Sequence, residues 1–312
     1  MRNAGQYADG LTTKRMMDVR TVFQVSRVLA LTATMVAAAI GAHAAEDGWF
    51  PTGDPFDALV ADPHQPRFAA AYSLQRTRND TYNFFRSRGL VPAMTGTLGG
   101  TVGIWGFADS SQALRIQVDV ALCAFALFRA SPPMVTLISG DFTAGLPITA
   151  RWGMFSARLQ FFHQSSHLGD EFVLDQNAPN HSVVSYEAIE LVVAAQEPWW
   201  RIYLAAAAAL HQPQPAPGTK LQAGFELRAP PDSGPGAVRL QIRPVIGADL
   251  AAYQNNRWGL TYAIKAGVES AIYDGRTPVR ALLTYMGGYS SLGQFFDRTR
   301  ADSFGVELQW DV

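Results

Sequence analysis

Cysteine is nearly absent from this chain, with Cys123 standing alone. A single thiol excludes an intramolecular disulfide framework, a cysteine-ligated zinc site and a CxxC redox pair. Lysine is almost as scarce, at three residues in 312, and a formal charge of −1 leaves no polybasic case for nucleic-acid binding. Charged residues make up 16% of the chain, where an ordinary soluble domain carries roughly 25%. Long apolar runs are missing too. Residues 28–40 form a short one, 118–128 is interrupted by Asp119, and 204–210 is mostly alanine. None reaches the roughly 20 residues a helix needs to span a bilayer.

The first of these runs reads as an address. Lys14, Arg15, Arg20 and Arg27 precede it, and Ala42-His43-Ala44 supplies the small residues of a signal-peptidase site. Residues 1–44 are therefore expected to be a signal peptide cleaved before Ala45. The remainder carries 20 basic and 24 acidic residues, a net charge of −4. An exported chain that is 48% hydrophobic overall and has no helical span is either a secreted β protein or a barrel of the outer membrane.

Alternation fills the rest of the chain. Val238, Leu240, Ile242, Pro244, Ile246, Ala248 and Leu250 share one phase, with Arg239, Gln241, Arg243, Gly247 and Asp249 on the other. Trp258, Leu260, Tyr262, Ile264, Ala266 and Val268 repeat the pattern against Lys265 and Glu269. Such period-2 segments are strands and not helices. Twelve are expected, at 67–76, 96–106, 113–127, 135–149, 155–165, 183–195, 200–212, 219–228, 238–250, 258–270, 279–289 and 304–312. Compact turns at 107–111, 151–154, 196–199 and 273–276 alternate with long connections at 77–95, 166–182 and 291–303. Short turns on one side and long loops on the other match an all-β, antiparallel transmembrane barrel in the bacterial outer membrane, with the short side periplasmic. A secreted sandwich would need shorter strands and a turn every 8–12 residues. The barrel is assigned to 67–312, and 45–66 is read as a periplasmic lead-in. The last strand, Phe304, Val306, Leu308, Trp310 and Val312, resembles the terminal strand by which outer-membrane proteins are recognised by their assembly machinery.

The fifth strand departs from its own pattern. Phe155, Ala157, Leu159 and Phe161 form a lipid-type stripe, which His163 and Ser165 then continue. On the sixth, Ile189, Leu191, Val193 and Ala195 form the stripe and Glu187 and Ser185 continue it. Directly opposed residues of an antiparallel pair share a face, so His163 and Glu187 become neighbours if paired residue numbers sum to about 350. Ser165 as nucleophile, His163 as base and Glu187 as orienter satisfy the requirements of acyl transfer.

Phe162-His163-Gln164-Ser165, closing a strand before a polar loop, resembles the active-site segment of outer-membrane phospholipase A, a twelve-stranded barrel with an outward His-x-Ser pair. That family orients its histidine with Asn, for which Asn177 has the spacing. The segment is also similar to that of the lipid A 3-O-deacylase, a smaller barrel that uses a Glu from the following strand. Glu187 is preferred, since Asn177 falls within the 166–182 connection. Both families follow the serine with Asn where this chain has Ser166-His167. The run His163-Gln164-Ser165-Ser166-His167-Leu168-Gly169-Asp170-Glu171-Phe172, with Gly140-Asp141-Phe142 before it, looks like the hallmark of a bacterial family of unknown function. Asp170 and Glu171 offer hard oxygen ligands for Ca²⁺, which the phospholipase resemblance implies near the oxyanion. A solvated acidic turn is the alternative. His167 and His181 form a further metal-ligand pair by residue type alone. Two functions follow: hydrolysis of ester bonds in membrane phospholipid or lipid A, or a non-enzymatic pore or structural barrel.

Overall fold

The computed structural model describes residues 47–79, 89–111, 113–131, 134–176, 184–211, 217–230, 242–272, 277–295 and 299–311. Twelve long strands account for most of them: β1 (Phe68–Asn79), β2 (Val91–Ala108), β3 (Leu114–Ser131), β4 (Met134–Trp152), β5 (Phe155–Leu168), β6 (Val184–Glu197), β7 (Trp200–His211), β8 (Thr219–Arg228), β9 (Ile242–Tyr253), β10 (Gly259–Ile272), β11 (Thr277–Gly288) and β12 (Arg300–Trp310). Each pairs antiparallel with the next, and β12 pairs with β1, Val306 opposite Tyr72. The sheet is therefore a closed barrel, which satisfies every strand's backbone groups internally and leaves no edge. A two-residue strand, Gly48–Trp49, pairs with Gly106 and Trp105 at the end of β2.

Burial is inverted relative to a soluble domain. Ile246, Leu250, Ile264, Val268, Leu283 and Val306 are exposed, while Asp249, Lys265, Glu269 and Arg280 on the alternate phase are buried. The apolar phase faces outward and the charged phase lines the lumen, where ions are paired: Arg280 with Glu269 at 2.6 Å and Lys265 with Glu307 at 3.0 Å. Buried charges need such partners or, as at Asp249, hydrogen bonds from neutral donors, here Tyr203 and Gln222. Among the described residues no helix is long and apolar enough to cross a membrane; the crossing is made by strands.

The strand pattern expected from alternation is present, with longer elements. β2 begins at Val91 and β4 reaches Trp152, so only residues 132–133 separate β3 from β4. Residues 238–241, expected to open the ninth strand, lie outside the described residues, as do Asn177 and His181.

Within the 45–66 segment, residues 51–65 lie inside the barrel. They run through the lumen, reached by side chains of six strands around the ring. Arg151 Nε of β4 donates to Pro55 O at 2.7 Å, Arg158 Nη1 of β5 to Gln65 Oε1 at 3.2 Å, and Gln196 Nε2 of β6 to Asp57 Oδ2 at 2.6 Å. Arg201 of β7 donates to the carbonyls of Asp57 and Ala58, at 2.7 and 2.8 Å. Glu226 of β8 accepts from Val60 N at 2.8 Å, and Gln309 of β12 donates to Val60 O at 3.1 Å. Phe56, Leu59, Val60 and Ala61 are fully buried, Phe56 beneath the Arg158 guanidinium. Three prolines and four acidic or amide residues in 51–65 suit a backbone that bonds to side chains instead of to a sheet.

The other end of the lumen is filled from the loops. Helix α1 (Asp170–Gln176) turns Phe172 inward against Phe295, ring centroids 6.2 Å apart, over Val91, Ala93, Leu127 and Ile138. Between the two fillings a cavity of about 70 Å³ remains, lined by Arg158, Glu190, Lys220 and Tyr253 among others.

Candidate active site

β5 alternates without interruption through the HQSSHL run, so its residues serve two faces. Gln164 and Ser166 are buried in the lumen, and both donate to the buried carboxylate of Asp141 on β4. Gly293 N also donates to Asp141, at 2.8 Å, and Gln294 Nε2 donates to Ser166 O at 2.7 Å. This half of the run fastens the 289–295 connection into the barrel mouth. Gly169 ends β5 in close contact with β4: a β-carbon there would stand 2.1 Å from Leu137 O.

His163, Ser165 and His167 occupy the outward phase. The β5–β6 register sums to 350, placing Glu187 directly opposite His163 and Ser185 opposite Ser165. His163 Nδ1 lies 2.9 Å from Glu187 Oε1. With Nδ1 committed to the carboxylate as donor, Nε2 is left as the acceptor nitrogen, and it is the one that a base needs free. Ser165 follows two positions along the same face, between Ser185 on one side and Phe142 on the other. Among the described residues no hydrogen bond joins its hydroxyl to His163.

The second ring nitrogen pairing at Glu187 was not foreseen from sequence. His211 Nδ1 lies 3.2 Å from Glu187 Oε2, so each carboxylate oxygen meets one imidazole. The site borders lipid: Phe142 and Leu146 on the adjacent strand β4, Phe161 on β5 and Ile189 on β6 point outward and are all exposed. Phe155 and His163 are eight residues apart on β5. At about 3.4 Å per residue and a tilt near 40°, that places the site about 20 Å above the lower end of the stripe, close to the top of an apolar band about 25 Å tall.

Asp170 and Glu171, expected as calcium ligands by residue type, open helix α1. Both are exposed in the first turn of α1, where negative charge offsets the helix dipole. Among the described residues no three His, Cys, Asp or Glu side chains converge to hold a metal ion. Two carboxylates supply only part of the 6–8 oxygens Ca²⁺ takes, the rest of which would have to come from backbone carbonyls or water. Cys123 is buried on the luminal phase, without a disulfide partner.

A closed sheet with an apolar exterior and a charged, filled interior defines a transmembrane β-barrel of the bacterial outer membrane. The chain belongs to the DUF1207 family, described as a protein of unknown function, which matches residues 24–312. No curated protein matches the sequence. Among solved structures, the chain is similar to the Salmonella typhi outer membrane phospholipase, a dimer with bound calcium, at 11% identity and a TM-score of 0.50 over 79% of this chain and 92% of that one. The Escherichia coli outer membrane phospholipase A gives 11% identity and a TM-score of 0.49 over 83% and 93%. The KdgM porin gives 9% identity and a TM-score of 0.37 over 76% and 97%. At such identities the likeness concerns the barrel fold.

Proposed function

We propose that this barrel is a serine esterase of the outer membrane, cleaving acyl esters of phospholipid or lipid A at its lipid-facing rim. The observation that carries the reading is the 2.9 Å contact of His163 Nδ1 with Glu187 on the outward phase, one alternate position from Ser165. In the reaction Ser165 Oγ attacks the ester carbonyl while His163 Nε2 takes the hydroxyl proton. The Nδ1–H bond to Glu187 holds the productive tautomer and stabilises the imidazolium. The imidazolium then protonates the departing alkoxide, and water, activated by the same nitrogen, releases the fatty acid from acyl-Ser165.

Residues 51–65 filling the lumen support a lipid-face activity over an open pore. The test is turnover by refolded protein on mixed-micelle phospholipid and on lipid A, comparing wild type with Ser165→Ala. Wild-type hydrolysis that falls by about 10³-fold or more in the variant is expected. Equal turnover by both, or none by either, overturns the assignment. Stoichiometric labelling of Ser165 by a sulfonyl fluoride is the companion measurement.

A further inference from the structure

β7 carries Ile202, Leu204, Ala206, Ala208 and Leu210 on its outward phase. Regular alternation would turn the next residue, His211, into the lumen. It does not, because the β6–β7 register shifts between Glu187 and Ala188: Ala188 opposes Ala209, whereas Glu187 opposes His211. Leu210 is the extra residue of a bulge, a device that re-aims a side chain at a strand end. Leu210 and His211 are consequently exposed in succession, and the His211 ring meets Glu187 Oε2 at 3.2 Å.

We infer that His211 is a positioning residue for the His163–Glu187 pair, an inference that rests on the esterase reading above. A carboxylate held by one donor can swing about its last torsion, which is broad and roughly two-fold. Glu187 is held at both oxygens, by His163 on one adjacent strand and His211 on the other. The two contacts fix the plane of the carboxylate across three strands, so that Oε1 stays in line with His163 Nδ1. The second contact also provides a hydrogen bond for a carboxylate placed beside lipid, where an oxygen without a partner is costly. His211 itself is 82% exposed at its side chain. It packs little and can be replaced without opening a core cavity.

The experiment compares wild type, His211→Ala, His211→Asn and Ser165→Ala, with kcat and KM measured on mixed-micelle phospholipid. The Asn amide reproduces a donor near the Nδ1 position. His211→Ala is expected to lower kcat by about tenfold with little change in KM, since misplacing a catalytic group by an ångström costs up to about 100-fold. His211→Asn is expected to recover most of that loss. A second readout does not depend on turnover: in ¹⁵N-histidine-labelled protein in micelles, the His163 Nδ1–H resonance should broaden in His211→Ala and sharpen again in His211→Asn. Wild-type kcat together with an unchanged resonance in His211→Ala overturns the positioning role. Inactive wild type, or an active Ser165→Ala, overturns the esterase reading instead, and the resonance then still decides whether His211 orders the pair.

Discussion

Replacing Arg201 with Met should release the luminal segment while leaving the barrel closed. The guanidinium is almost fully buried and makes three short contacts: the carbonyls of Asp57 and Ala58 at 2.7 and 2.8 Å, and Glu226 Oε1 at 2.6 Å. Two of the three reach the segment directly. Hydrogen bonds from a charged donor contribute about 1.5–3 kcal/mol each, so their loss amounts to about 3–6 kcal/mol against docking. At about 1.4 kcal/mol per factor of ten, the undocked population rises about 10²- to 10⁴-fold. Met fills most of the vacated volume, so the effect is polar and not that of a cavity. Glu226 keeps Arg228 at 2.5 Å, which spares the barrel wall an unpaired buried carboxylate. The assay is maleimide labelling of Ala61→Cys in a Cys123→Ser background, because Ala61 is fully buried and reacts only when the segment leaves. Planar-bilayer conductance should rise in parallel. A labelling rate within about twofold of the parent would refute the reasoning, because Arg201 would then not be what holds the segment.

Three further outcomes are expected. Gly169→Val places a β-carbon against Leu137 O, 2.1 Å away before relaxation, and should destabilise the barrel by about 1–3 kcal/mol in urea unfolding; unchanged stability would mean that the β4–β5 end separates freely. Phe172→Ala removes a fully buried ring packed on Phe295 and should cost about 3–5 kcal/mol of α1 docking, read as rapid proteolysis within 170–176 of an otherwise protected barrel. Burial, and then the nearby Asp119 carboxylate, pushes the Asp54 carboxyl up to about 7 from 3.8. Docked Asp54 thus holds a proton that the released segment loses, so docking is strongest below about pH 4 and weakens as pH rises through 7. Labelling of Ala61→Cys, normalised to an exposed cysteine, should be faster at pH 8 than at pH 5, and Asp54→Asn should flatten the difference.

The barrel was legible because period 2 is a local signal. Ile246 against Asp249, or Val306 against Glu307, declares which side meets lipid without any knowledge of the partner strand. The His163–Glu187 pairing was legible only conditionally, since alternation gives the shared face but not the register. Two features had no local signature. The segment 51–65 carries few apolar residues, and its anchors Arg201, Glu226 and Gln309 are far away in sequence, each reading as an ordinary luminal residue of its own strand. Phe56, Leu59 and Val60 amid prolines and aspartates were the available hint. His211 stands on the wrong phase of β7, and only the bulge at Leu210 corrects it. Asp170 and Glu171 suggest ion ligands by type, and the short helix they open, which exposes both, has no period-2 signature to announce it.

Charge at the outward rim is not by itself a sign of catalysis. β1 and β12 also turn polar at the same end, where Arg78 pairs with Asp302 outside the barrel, as strands do on leaving the hydrocarbon layer. The β5–β6 site differs in the order of its groups. An ion pair at a boundary needs two opposite charges and nothing else; here a carboxylate spends both oxygens on imidazole Nδ1 atoms. One of those rings keeps its Nε2 on the strand that also presents Ser165. The height of the site matters equally. Ester carbonyls of membrane lipids lie between headgroup and acyl chain, and the apolar stripe of β5 ends at Phe161, one alternate position below His163. On the esterase reading proposed above, a lipid whose acyl chain lay along Phe161, Ile189 and Leu146 would bring its ester to the level of Ser165 without leaving the bilayer. Proximity of that kind would supply much of the proposed catalytic rate, and it would be available only to a site built on the outside of the barrel.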